Sequence, residues 1–264
     1  MSIISLMTDF GIKDGNVGVM KGVIWNISPD AQIADLSHTI SPQNVLEASL
    51  ILARSAPYFP AGSIHLVVVD PGVGTNRRHI AARLGMQYFV GPDNGVISGL
   101  LEYAEAEDWT VEIVHTDKRQ YWLPKVSHVF HGRDVFAPIA AHLARGVPLY
   151  ALGTPIHDPV RLSLPKPQTT PSGWQGEVIH IDHFGNISTS IRVENLGYPD
   201  HVKVGLRDVI ITGLVRTFGE RTPGELVALY GSTGNLIISV VNGDAARRLN
   251  ASVGDQVTVV LGEG

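Results

Sequence analysis

Up to about residue 160, short β-branched runs alternate with apolar positions at helical spacing. This alternation predicts an α/β layer built on a largely parallel sheet. Ile3 to Met7 reads as the first strand and Thr8 to Gly15 as a loop. Val17, Met20, Val23, Ile24 and Ile27 then keep the spacing of one helical face. Ser41-Pro42 reads as an N-cap with proline at the first helical position, opening a helix through Val45, Ala48 and Leu52. Ile64 to Val69 reads as a strand ending at Asp70-Pro71-Gly72. Ile80 to Leu84 and Gln87 to Val90 read as a hairpin, and Asp134 to Arg145 as a helix with Pro138 near its first turn. The stretch Pro165-Lys166-Pro167-Gln168-Thr169-Thr170-Pro171-Ser172-Gly173 has linker composition. It is expected to divide an N-terminal α/β domain, residues 1–164, from a C-terminal domain, residues 176–264, through a linker at 165–175. In that second domain Glu177 to Ile181, His201 to Val204, Leu226 to Leu229, Leu236 to Val241 and Gln256 to Leu261 are strand-like runs separated by turn residues. Such a pattern predicts a small antiparallel β-barrel or sandwich.

Composition narrows the function classes. A chain of 264 residues, 44% of them hydrophobic, can build one large domain or two of moderate size, each with its own core. Its 20 Lys plus Arg against 25 Asp plus Glu give a formal charge of −5, which is no footprint for a polyanion, so nucleic acid is not an expected partner. The absence of cysteine excludes disulfides, thiolate metal sites and a cysteine nucleophile, and it fits a reducing compartment. The N-terminal run to Met7 lacks the basic flank and long apolar core of a signal peptide, and the apolar runs are far short of a membrane span. A cytoplasmic location without a membrane partner is expected.

Two loops placed after predicted strands carry polar groups, and in α/β sheets such loops collect functional side chains. The first holds Thr8, Asp9, Asp14 and Asn16; on local sequence Asp9 reads equally well as a functional carboxylate and as no more than a helix cap or turn former. The second, Asp70-Pro71-Gly72-Val73-Gly74-Thr75-Asn76-Arg77-Arg78, sets an acid and a base seven residues apart around two glycines that permit close approach to a ligand. Gly72-Val73-Gly74 is not a dinucleotide fingerprint, because a strand-like run rather than a glycine-capped helix follows it. His128 and His131 precede a helix. In an extended segment residues three apart face opposite ways and no third ligand follows at a familiar spacing, so no metal site is expected there, nor at His180 and His183. Ile181-Asp182-His183-Phe184-Gly185-Asn186 reads as a polar turn of the Asx type or as a ligand loop. Thr217-Phe218-Gly219 and Tyr230-Gly231-Ser232-Thr233-Gly234 read as stacking platforms or as covers for a barrel end.

Taken in order, Met7-Thr8-Asp9-Phe10-Gly11 with Asp14, Val67-Val68-Val69-Asp70-Pro71-Gly72-Val73-Gly74-Thr75 with Arg77, Gly91-Pro92-Asp93-Asn94-Gly95, Phe130-His131-Gly132-Arg133-Asp134, Ile181 to Asn186 and Thr217-Phe218 span nearly the whole chain. In this the sequence resembles the S-adenosylmethionine (SAM) hydrolase family, also called SAM hydroxide adenosyltransferases, the relatives of fluorinase and chlorinase. The resemblance implies an α/β domain followed by a C-terminal β-barrel, no cofactor, and a homotrimer with active sites at subunit interfaces. It implies Asp70, Arg77 and His131 as the catalytic trio and Asp9 as acceptor of both ribose hydroxyls. It further implies Asp14, Asn16, Asp182, Ser232 and Thr233 around the methionine ends, Asn186 on the adenine edge, Phe218 against the ring, and Val240 among the substrate contacts. Halogenating relatives have a hydroxyl-bearing aromatic where Asp70 stands, and fluorinase has a serine at the position of Gly132. Gly234-Asn235-Leu236-Ile237 departs from the family pattern, which puts adenine contacts in that strand in question.

The implied reaction is hydrolysis of SAM to adenosine and methionine by in-line attack of an activated water on the ribose C5′. Arg77 keeps its charge and would stabilise hydroxide character, while either Asp70 or His131 could take the proton. The alternatives are a halide-using SAM adenosyltransferase, a non-catalytic SAM or adenosine sensor, and a metal phosphoesterase built on Asp9, Asp70, Asp93 and His131.

Overall fold

The computed structural model describes residues 2–199 and 201–262, so Met1 and the last two residues of the expected C-terminal domain lie outside the described residues. Two compact units result, one running to Leu164 and the other from Pro165.

The first unit consists of β1 (Ile3–Thr8), α1 (Asn16–Ile27), β2 (Gln32–Ser37), α2 (Val45–Ser55), β3 (Ile64–Val68), β4 (His79–Leu84), β5 (Gln87–Pro92), α3 (Ser98–Ala106), β6 (Val111–His115), α4 (Ala137–Ala144) and β7 (Thr154–Ile156). Its sheet has the order β2-β1-β3-β5-β4-β6-β7. The first four strands in that order pair in parallel and the remaining pairs are antiparallel, so all but β4 and β7 point the same way. Alternate residues of each central strand feed opposite layers. Ile4, Leu6, Leu66 and Val68 pack with Met20 and Ile24 of α1 and Ile139, Ala140 and Leu143 of α4. Met7, Val67, Ile80 and Ala82 pack with Ala48 and Leu52 of α2 and Leu100 and Leu101 of α3. Burial on both faces explains why β1 and β3 read as continuous apolar runs. Each fully buried Leu or Val contributes about 1.5–3 kcal/mol relative to exposure.

In the first unit two helix starts differ from expectation. The cap of α2 is Asn44, whose side chain accepts the amide of Glu47 at 3.0 Å, and not Ser41. Ser41 instead donates its amide to the Glu47 carboxylate, and Gln43 turns through φ 65°, so Pro42 belongs to the turn before the helix. The last helix of the first unit begins as a π-helical turn over Gly132–Phe136, and regular α4 starts only at Ala137, with Pro138 in its first turn. Turns of this kind are frequent at functional sites.

The second unit consists of β8 (Gln168–Thr170), β9 (Gly173–Ile181), β10 (Ile187–Arg192), β11 (Val202–Leu206), β12 (Val209–Thr212), β13 (Leu226–Tyr230), β14 (Asn235–Val240) and β15 (Gln256–Leu261). It forms an antiparallel sheet of order β12-β11-β15-β9-β10-β14-β13, with β8 added to β9. The long β9 pairs with β15 through Gly173–Glu177 and with β10 from Val178 onward, turning the corner between the two halves of a β-barrel. The open edge is narrowed where Val215, just beyond β12, donates its amide to Ala228 of β13 at 3.0 Å. Val202, Val204, Leu206, Val257 and Val259 alternate inward in the core, with Lys203, Gln256 and Thr258 outward. The proline-rich stretch does not remain extended, because Gln168–Thr170 folds back on Gly173–Gln175. Among the described residues no helix is long and apolar enough to cross a membrane.

Candidate active site

In the first sheet, β2 lies on one side of β1 and β3 on the other, so chain order reverses between β1 and β3. Loops leaving the carboxyl ends of the two strands diverge at such a point and leave a crevice. Those loops carry Asp9 and Asp70. Because β4 runs antiparallel, its first residue, His79, returns to this same edge beside Pro92 of β5, and its neighbour β6 ends there at His115. The segment before α4 brings His131 to the edge as well. Gly74 makes that meeting possible: it holds φ +77°, and a Cβ would stand 2.2 Å from the carbonyl oxygen of His128. The close approach that this glycine allows is therefore to the chain itself.

Arg77 gathers the trio. Its Nε donates to Asp70 Oδ1 at 2.8 Å and Oδ2 at 3.0 Å, and Nη2 also donates to Oδ2. Nη2 further reaches His131 Nδ1 at 2.9 Å. The guanidinium carbon stands 5.3 Å from the centre of the Phe136 ring, so the cation lies against an aromatic face and is largely shut from solvent. Nη1 remains, buried and without a hydrogen-bond partner among the described residues. His131 lies at the helix start with φ −65° and ψ −22°, so the extended conformation assumed for this segment does not hold there. Asp134 secures the approach by accepting the amide of Ser127 at 2.8 Å and the guanidinium of Arg133.

A fourth polar group, His79, was not singled out from sequence. Its Nε2 lies 3.0 Å from His131 Nδ1, and its ring packs on those of His115, Trp122 and Phe136. Burial, reinforced by the Arg77 cation and by His131 and His115, pushes the His79 pKa down to about 3. Burial and then Arg77 lower that of His131, with Asp70 and Asp134 opposing. Both rings are neutral near pH 7. The signal that could have found His79 is the return of the Asp70 loop into an antiparallel strand, which restores its first residue to the crevice.

Other candidates are placed as follows. Asp9 caps no helix, since α1 begins after Gly15 without a side-chain cap; Asp9 Oδ2 accepts the amide of Gln43 at 2.8 Å. Asp14 and Asn16 are exposed at the start of α1. Asp93 is bound to Arg78 at 2.7 Å and to the amide of Val160 at 2.8 Å, so it braces the edge rather than joining the trio. Among the described residues no group of three or more His, Cys, Asp or Glu is disposed to hold a metal ion.

In the second unit, Asp182 Oδ1 accepts the amides of Phe184 and Asn186, each at 2.9 Å, and Oδ2 accepts Asn186 Nδ2 at 2.7 Å. The segment is an Asx turn. Phe218 is 42% exposed on a turn capped by Thr217. Ser232 is exposed, Thr233 donates to Asn235 Oδ1 at 3.0 Å, and Val240 packs in the barrel core.

Residues 4–153 match the SAM hydroxide adenosyltransferase N-terminal domain, and residues 176–258 match the SAM hydroxide adenosyltransferase C-terminal domain. The chain is 38% identical to the (R)-S-adenosyl-L-methionine hydrolase of Salinispora tropica over 98% of both proteins. It is 39% identical to that of Thermus thermophilus over 98% of this chain and 100% of the other. Fluorinases match at lower identity. A crystal structure of an uncharacterized conserved protein from Thermotoga maritima superposes with a TM-score of 0.90 at 38% identity, covering 98% of this chain and 100% of that one. With both domain profiles matched in order and full-length relatives of this identity, the chain belongs to the SAM hydroxide adenosyltransferase family.

Proposed function

We propose that this protein hydrolyses S-adenosyl-L-methionine to adenosine and L-methionine, with Asp70, Arg77 and His131 as the catalytic groups. The observation that carries the reading is the guanidinium of Arg77, which binds Asp70 and His131 through Nε and Nη2 and keeps Nη1 buried and uncommitted. A buried cationic N–H without a partner favours an oxygen that gains negative charge, which is what a water becomes as it attacks. The oxygen bonds to the ribose C5′ and the C5′–S bond breaks with its electron pair passing to sulfur. Methionine leaves as a neutral thioether, and one proton of the water passes to the enzyme and then to solvent. No general acid is required.

Asp9 keeps Oδ1 for the ribose hydroxyls while Oδ2 holds Gln43. Asp14 and Asn16, together with Asp182, Asn186, Phe218, Ser232, Thr233 and Val240 from the barrel of a neighbouring subunit, complete the substrate site in a homotrimer. The exposed side chains of Phe218 and of Ile12, the latter 84% exposed, fit burial by such a neighbour. A halide nucleophile is disfavoured by the buried Asp70 carboxylate beside the attacking position. Incubation of the purified protein with SAM in the presence of chloride and fluoride tests the reading. Equal amounts of adenosine and methionine are expected; 5′-halo-adenosine, or SAM bound and unchanged, would overturn it.

A further inference from the structure

His131 Nδ1 meets two donors. Arg77 Nη2 has only hydrogens to offer, so at 2.9 Å it requires a lone pair on Nδ1. The proton of the neutral ring then resides on Nε2. His79 Nε2, 3.0 Å from the same lone pair, must carry a hydrogen too, since two lone pairs at that distance repel. The neutral tautomer of His79 that follows leaves its Nδ1 bare, and that atom is buried with no partner among the described residues. Its ring cannot swing away without leaving the packing of His115, Trp122 and Phe136. We propose that His79 is a positioning residue which, with Arg77, pins His131 in the tautomer protonated at Nε2, so that His131 meets the reacting water as a donor and Asp70 takes the proton.

This inference rests on the hydrolytic reading and resolves which member of the trio is the base. The groups facing His79 are Arg77, His131 and His115, with Trp122 and Phe136 completing the wall. A second proton on His79 would set a cation against Arg77, which keeps the ring neutral and its Nε2–H fixed. In the step itself, the water O–H bond breaks as oxygen bonds C5′, the proton moves to the Asp70 carboxylate, and the C5′–S pair leaves with methionine.

Two measurements test it. Long-range proton–nitrogen correlation NMR on histidine-labelled protein, with the His131 signal assigned by its loss in His131→Asn, is expected to show Nδ1 bare and Nε2 protonated at pH 7. A ring protonated at Nδ1, or at both nitrogens, overturns the proposal. In kinetics, His79→Phe preserves an aromatic wall but removes the donor. It is expected to lower kcat on the order of 10- to 100-fold with little change in KM, as for other partners that orient a reacting group. It should also move the acidic limb of kcat to higher pH, because His131 Nδ1, left with Arg77 as its one donor, takes up a proton more easily. His79→Gln, which regains an N–H donor, should recover most of both. Unchanged kcat in His79→Phe, or equal losses in the two variants, would sink the assignment. Were the chain not a SAM hydrolase, no variant would release adenosine, yet the tautomer spectrum would still decide the role of His79.

Discussion

Arg77 divides its donors unequally, and that division decides what its neighbours can do. Nε and one hydrogen of Nη2 hold Asp70, the other hydrogen of Nη2 holds His131, and Nη1 is left over. Removing either partner should therefore cripple turnover without unfolding the sheet, whose core lies beneath. Asp70→Ala and His131→Ala are each expected to lower kcat on the order of 100-fold or more, the scale of lost acid–base assistance; near-wild-type turnover in a well-folded variant would remove that residue from the mechanism. That Asp70, Arg77 and His131 stand together was legible through the motifs that resemble the family's, whereas the local sequence by itself marked only the acid and the base around Gly72 and Gly74. Histidine 79 was not legible. Nothing in its local sequence marks it, and only the antiparallel register of β4 against β5 and β6 brings its ring to the crevice. The Asx turn at Asp182 was legible as one of two readings, and both oxygens of that carboxylate are engaged in holding the turn itself.

Elements that a strong pattern announces were placed well, whereas those that depend on partners were not. Central β1 and β3 were read within one residue because burial on both faces leaves a continuous apolar run. By contrast, β10 was missed: it buries Thr189 and Ser190, which are accommodated because Thr189 Oγ1 donates to the carbonyl of Leu236 at 2.9 Å and Ser190 Oγ accepts the amide of Glu177 at 3.1 Å. The start of α2 was misplaced for a similar reason, since Ser41-Pro42 and Asn44 are both sound caps on paper and the Asn44 contact with Glu47 decides between them. Among connecting segments, Gly74 lies where the Asp70 loop meets the segment leading to His131. Alanine there would need a left-handed conformation and would drive its Cβ into the His128 carbonyl, so the Asp70 and His131 loops would be forced apart. Gly74→Ala is expected to cost roughly 2 kcal/mol or more in stability and to lower kcat, read by urea unfolding and turnover together. A variant with wild-type stability and rate would contradict this account of the loop.

At the scale of the whole molecule, buried neutral histidines tie stability to pH. Burial pushes His65 down to about 4, partly offset by its contact with Gln87, and pushes His79 down to about 3. The unfolded chain takes up protons at these positions near pH 6.5, where the folded chain refuses them. Their contribution is thus complete above about pH 6.5 and is lost as the pH falls toward the folded values. Each site costs at most about 1.4 kcal/mol per pH unit in that window, so urea unfolding should show stability falling by on the order of 2 to 4 kcal/mol between pH 7 and pH 5. A rise over that interval would contradict the sign. The class of each unit was readable from the hydrophobic pattern along the chain, and the division between them was expected from the composition of Pro165 to Gly173; which barrel strand bends between the two halves was not readable, because that depends on the register of β9 against β15 and β10.

The central claim is that one water, activated beside Arg77, attacks the ribose C5′. Incubating the protein with SAM in heavy-oxygen water and locating the label by mass spectrometry tests it most directly. The account predicts one heavy oxygen in the 5′ hydroxyl of adenosine and none in methionine. Adenosine without label, or label elsewhere in the products, would contradict it.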